Sequence, residues 1–419
     1  MKTLIHSFIA SVLSISASAA ISVPGANGTD GVLNITVDTV IDLSAAVNGA
    51  WDSDNTANAG KGVYDASKWA VVFKYSSVTI AAGKTLTFKN HASRAPVVWL
   101  VSGDATITGT VSLNGDHLQV APNLAEPGPG GFRGGTASYT TGPGASAGFG
   151  VGGGRQQSNA GHSAGFGTQG SNLTLGGAPY GNPSLVPLIG GSGGAGDPEF
   201  NSDRLGGGAG GGAMLLAATG SISITGEIRS NGGNGKSYGA EDTGGGSGGG
   251  IRVVCDTLQG AGRLNALGGS GWATGGRGRI RIERVNNTNT LQVVPDPSVV
   301  PLNAGDAALL WPPTGAPEVK IVSVGGVAAP LDPRASFGTS GADVALPETT
   351  STQMIIETRN VEQASQVKVR LTPRSGGNAT EIAAAVDTVV SASPLVVRWT
   401  ATLPVNVGYS AVQVKVVRP

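Results

Sequence analysis

The chain has 419 residues, a formal net charge of zero and only 13% charged side chains, where about 25% is usual. With no basic block to break that balance, a nucleic-acid partner is not expected. A single cysteine, Cys255, excludes an intramolecular disulfide. Glycine is the outlier: 69 residues, 50 of them between Gly128 and Gly278, without the strict Gly-X-Y period of collagen.

In chain order, residues 1–20 come first. Lys2 gives a positive start, Leu4 to Ile15 is largely apolar, and Ser16-Ala-Ser-Ala-Ala20 offers small residues for cleavage. That order predicts a secretory signal peptide and an exported, extracellular or cell-surface protein. No later segment reaches the roughly 20 apolar residues of a membrane span, so no transmembrane segment is expected. The remaining length implies two or three domains.

Residues 21–115 read as short strands. Val32–Val37, Val71–Tyr75, Val78–Ile80 and Leu86–Phe88 alternate apolar with polar residues, and Asn27-Gly28, Asp30-Gly31 and Ala82-Gly83 supply turns. Ala66–Ala70 suggests one helical turn. Asp52-Ser-Asp54-Asn-Thr-Ala-Asn58 places side-chain oxygens at i, i+2 and i+6, a spacing that can wrap Ca²⁺. It lacks the glycine and closing glutamate of an EF-hand loop, and an Asx-rich turn is the competing reading.

An internal repeat follows. Pro96–Gly109 aligns without gaps on Ala213–Gly226, each an apolar strand, a turn, then Ile alternating with Thr or Ser. Each copy continues to an Asn-Gly, at Asn114-Gly115 and Asn231-Gly232. A third copy, Ile251–Gly262, is one residue shorter, and a fourth begins near Gly278. Glycine blocks at 206–212 and 244–250 announce the second and third copies. A strand–turn–strand unit cannot bury its apolar face alone, but stacked copies can. The expected fold is therefore all-β: a parallel β-helix-like solenoid over residues 21–310. Ile107 and Ile224 should point inward, and Gly109, Gly226 and Gly262 should share one corner. Cys255, inside a strand pattern, reads as a buried thiol.

Residues 116–205 interrupt the repeat. This long glycine-rich insertion, with aromatics Phe132, Tyr139, Phe149, Phe166, Tyr180 and Phe200, is expected to be a displayed loop that is removable without unfolding. Polyglycine-II packing is a further possibility. Beyond a Pro/Gly break at 312–317, five β-rich runs predict a C-terminal β-sandwich over 317–419 with Trp399 in its core.

Catalytic patterns dissolve on inspection. Gly161-His-Ser-Ala-Gly165 has the form of a nucleophile elbow, but three further G-x-S-x-G strings occur in glycine-rich surroundings that lack the required strand and helix. Gly232–Ser237 ends like a Walker A loop, yet Ser230 stands where its leading glycine belongs. Asp104, Asp116, Glu227, Asp256 and Glu283 do not recur at one repeat position, as a carboxylate-based site would favour.

The unit Gly-Gly-Gly-(Ala/Ser)-Gly-Gly-Gly followed by Ala213-Met-Leu-Leu or Ile251-Arg-Val-Val, then Ile224-Thr-Gly226, resembles glycine-rich repeats of large secreted bacterial surface proteins. That resemblance covers about residues 95–283 and implies a β-helix without naming an activity. The glycine blocks also resemble the polyglycine-II tips of phage tail-fibre adhesins, on which a signal peptide is not expected. The function expected is structural or adhesive, with glycans or other surface proteins as partners and no cofactor unless Ca²⁺. A carbohydrate-active β-helix enzyme is the alternative.

Overall fold

The computed structural model describes residues 20–138, 144–157, 160–171, 174–198, 204–238, 241–334, 341–347, 350–405 and 407–419. The expected leader lies outside these residues except for Ala20, as do Tyr139 and Phe200. The protein is all-β, 42% strand and 2% helical, the latter confined among the described residues to two 3-10 turns, Leu43–Ala45 and Thr56–Asn58. No helix among them is long and apolar enough to cross a membrane. Ala66–Trp69 forms a turn rather than helix, because the Asp65 carboxylate accepts from the Ser67 and Lys68 amides.

Two parallel arrays organise the first 300 residues. In one, Gly31–Ile35, Ala70–Ile80, the pair Val97–Val101 and Ala105–Ile107, Ala213–Ile224, Gly250–Gly260, Arg279–Asn289 and Ser298–Pro301 lie side by side. In the other, Thr39–Asp42, Thr85–Lys89, Thr110–Ser112, Glu227–Arg229, Arg263–Asn265 and Gln292–Val294 follow the same order. Each repeat copy thus contributes one strand to each array.

Register follows the sequence alignment. Ile80, Ile107 and Ile224 are directly paired, fully buried and in one apolar cluster. Leu86, Val111, Ile228 and Leu264 form the facing row. Burial of each such side chain is worth about 1.5–3 kcal/mol. The amides of Gly109, Gly226 and Gly262 donate to Ile80, Ile107 and Ile224 carbonyls in turn, so the three glycines do occupy one corner. A Cβ on Gly226 would stand 1.9 Å from the Gly109 oxygen. The shorter third copy is absorbed as a register shift between Ala218 and Ser221. Asn114 Oδ1 accepts from the Asn231 amide and Asn231 Oδ1 from the Leu267 amide, an asparagine ladder down the stack. Cys255 is buried, and burial pushes its thiol up to about 12.

The apolar runs are continuous because the first array is buried on both faces. Val72, Val98, Leu100, Leu215 and Val254 are covered by Ile21, Val23, Ala308 and Leu310. There Arg252, 2% exposed, donates from Nε to Glu283 Oε1 at 3.0 Å and from Nη2 to the Leu309 carbonyl at 2.6 Å, fixing residues 302–311 on the array.

The displayed-loop expectation for residues 116–205 is overturned. Successive amides of the 206–212 block donate to three different neighbours in rotation. Gly206, Ala209 and Gly212 bond Gln119, Asp116 and Leu113; Gly207 and Gly210 bond Gly135 and Phe132; Gly208 and Gly211 bond Gly244 and Ser247. The 244–250 block repeats the pattern: Gly244 and Ser247 bond Ala195 and Ser192, Gly245 and Gly248 bond Ala273 and Gly276, Gly246 and Gly249 bond Gly233 and Ser230. A partner change with period three is the signature of an extended threefold helix, the polyglycine-II form. The insertion supplies several of the neighbouring chains. Glycine is required because every direction is occupied by backbone: a Cβ on Gly177 would lie 1.7 Å from the Gly152 oxygen. The aromatics among the described residues are packed rather than presented. Phe149 and Phe166 are buried, and Phe166 lies 4.8 Å from the Tyr180 ring, whose hydroxyl donates to the Gly190 carbonyl.

Residues 318–417 form two antiparallel sheets. Glu318–Val324, Val327–Ala328, Ser351–Arg359, Ala385–Ala392 and Leu395–Pro404 make one; Gln366–Pro373, Thr380–Ala383 and Ser410–Val417 make the other. Met354, Ile356, Val367, Val369, Val397 and Trp399 pack in one cluster between them, and Trp399 Nε1 donates to Thr358 Oγ1 at 2.9 Å. This part is docked on the insertion. Arg370, 5% exposed, donates to the Gly148 and Gly153 carbonyls, and Asn378 and Gln156 exchange hydrogen bonds at 2.6 and 2.8 Å.

Candidate functional site

A cleft of about 720 Å³ opens at one end of the parallel arrays. It lies where Thr85–Lys89 and Thr110–Ser112 end and the chain turns into the glycine array, with Phe88, Asn90, Arg94, Asp116, His117 and Glu126 on its walls. Asn90 Nδ2 donates to the Pro127 carbonyl at 2.8 Å, while its Oδ1 is buried without a hydrogen-bond partner. His117 Nδ1 accepts from the Asn234 amide, which orients the ring.

Two carboxyls share the cleft, and both are pushed up by burial. For Asp116 the Glu126 amide and His117 oppose the rise; for Glu126 Arg94 opposes it and Asp116 adds to it. Their situations otherwise differ. Glu126 receives Arg94 Nε and Nη2 at 3.0 and 3.1 Å and Arg133 Nε at 2.7 Å. Two guanidinium groups thus fix the Glu126 carboxyl in place, Arg94 by a fork and Arg133 by a single bond. Asp116 makes no such ion pair among the described residues.

The other acids marked in the sequence are dispersed. Asp104 Oδ1 accepts from the Ser221 amide, Glu227 Oε1 from Asn265, Asp256 from Thr257, and Glu283 lies between Arg252 and Arg281. Glu126 was not singled out by sequence reasoning. Its environment depends on Arg94, 32 residues away, and no local spacing signals it.

Asp52, Asp54 and Asn58 form a loop beside the first array. Asp54 Oδ1 accepts from the Thr56 amide and hydroxyl, which hold its carboxyl below the usual range. The positive charge in their field is Lys74, whose ammonium donates to the Ser53 carbonyl; burial lowers its pKa, and Asp30, Asp52 and Asp54 oppose that. Asn58 donates its amide to the Asn55 carbonyl. No group of three or more His, Cys, Asp or Glu side chains placed to hold a metal ion occurs among the described residues. No family model, curated protein or solved structure matches the chain.

Proposed function

We propose that the chain is an exported structural or adhesive surface protein. In this reading the two parallel arrays are faces of a β-solenoid stalk, the C-terminal sheets are a sandwich-type docking module, and glycans are the ligands of the cleft. The observation that carries the reading is the glycine array. It is tied to the repeat strands on one side and to Arg370 and Asn378 on the other, so hydrogen bonds run continuously through the parts. Such bracing serves a scaffold.

One observation favours a carbohydrate-active enzyme instead: Asp116, with its carboxyl raised by burial, shares a cleft with Glu126. A glycan array combined with a reducing-end assay on polysaccharides separates the two. Binding without release of reducing ends is expected. Release that is abolished by Asp116→Asn sinks the scaffold reading.

A further inference from the structure

The outer face of the three-stranded C-terminal sheet carries an unusual charge arrangement. Lys368 pairs with Lys415 across one strand boundary, and Arg370 with Glu381 across the other, so all four share the face opposite the apolar core. Arg155 reaches the same place from the insertion. Arg155 Nη2, Arg370 Nη1 and Lys415 Nζ all converge on one oxygen, Glu381 Oε1, at 3.4, 3.7 and 3.9 Å.

None of these contacts reaches the 2.7–2.9 Å typical of a charge-assisted hydrogen bond. One carboxylate is therefore shared by three cations at long range, and of these Arg370 is also held by the Gly148 and Gly153 carbonyls. Lys368 adds a fourth cation and has no carboxylate partner among the described residues. Four cations against one carboxylate leave an excess of three positive charges. Arg370 Nε is in addition buried with no partner. Uncompensated charge at a partly buried seam is costly, and the direct remedy is an anion from outside. The interior of the seam, between Lys368, Arg370, Glu381 and Lys415, has no room for a water-sized group, so an anion would sit on its outer lip, where the Arg155 side chain is 42% exposed and that of Lys415 24%.

We propose that this seam is a seat for an oxyanion, specifically the carboxylate or sulfate groups of an acidic polysaccharide. The oxyanion part stands on the geometry alone; the polysaccharide part rests on the glycan-binding function proposed above. The Arg155 guanidinium and the two ammonium groups of Lys368 and Lys415 suit a multi-oxygen anion, with the buried Arg370 adding its charge from behind. Desolvation lowers the pKa of Lys415, and Lys368, Arg370 and Arg155 lower it further against Glu381, consistent with cations crowded on too little negative charge. A bound anion would also strengthen docking of the C-terminal sheets on the insertion, since Arg155 and Arg370 lie on opposite sides of the seam.

The test uses the full chain. Sodium sulfate at low millimolar concentration is expected to raise the thermal midpoint by a few degrees relative to sodium chloride at equal ionic strength. Calorimetric titration with dextran sulfate and with polygalacturonate should show binding that neutral dextran does not. Lys368→Gln/Lys415→Gln should weaken both responses by at least about tenfold. Glu381→Gln, which removes the competing carboxylate, should strengthen them. If the double variant misfolds by circular dichroism, Lys368→Gln alone takes its place. Equal responses to sulfate and chloride, or unchanged binding in the lysine variants, overturn the seat. Sulfate binding without polysaccharide binding keeps the seat and overturns the acidic-glycan assignment.

Discussion

Excising residues 122–203 and closing the gap with a short Gly-Ser linker is expected to yield aggregated or molten protein. The cut removes the partners of Gly207 and Gly210 at Gly135 and Phe132, and those of Gly244 and Ser247 at Ala195 and Ser192. It also removes chains that donate inward, such as Gly191 to Gly211 and Gly194 to Gly208. Each lost hydrogen bond is worth about 1 kcal/mol net, and a buried group left unpaired costs about 1–3 kcal/mol. The glycine blocks that remain have high chain entropy and no side chains to hold them. Arg370 and Asn378 lose their footing as well, so the C-terminal sheets come free. Circular dichroism melting and dye binding read the outcome. A cooperative β-sheet transition with an unchanged midpoint would refute the view that the insertion is scaffold.

A single methyl group placed inside the array should do comparable damage. A Cβ on Gly249 would stand 1.8 Å from the Gly212 oxygen and 2.3 Å from Ser230 Oγ. Those neighbours cannot step aside, because the Gly249 and Gly250 amides donate at 2.8 Å to the Ser230 and Gly212 carbonyls. Overpacking in a compliant apolar core costs about 1–3 kcal/mol, and a rigid backbone lattice should sit at or above the top of that range. Gly249→Ala is therefore expected to lose about 3 kcal/mol or more in denaturant unfolding. Gly144→Ala is the control: nothing lies within 4 Å of its Cβ position, and a change within about 0.5 kcal/mol is expected. Equal effects at the two positions would sink the lattice argument.

The contrast between these glycines explains how much was legible. The repeat register could be read because Ile107 and Ile224 carry side chains whose period marks a buried face. Val319–Val324, Met354–Thr358 and Leu395–Ala401 were legible for the same reason and lie inside observed strands. The array was not, since glycine has no side chain to report direction. Its order is encoded in which amide meets which carbonyl every third residue. Phe166 and Phe149 looked available for a ligand because their burial is created by chains distant in sequence. The cleft was not legible: Asp116 is one of five scattered acids in the sequence, and Glu126 acquires its character only from Arg94 and Arg133. The seam cations are spread from Arg155 to Lys415, and only the docking of two regions gathers them.

The glycine array also bears on how stability changes with temperature. Unfolding an apolar core exposes hydrocarbon and raises heat capacity, whereas exposing peptide groups lowers it. Much of what this chain hides between residues 115 and 278 is peptide backbone rather than hydrocarbon. The heat-capacity increment of unfolding should then fall below the about 12–15 cal/mol/K per residue of ordinary globular proteins. A small increment flattens the curve of stability against temperature, protecting the fold against cold as well as heat. Scanning calorimetry at several pH values measures the increment directly, and an ordinary value would show that hydrocarbon burial governs this protein after all.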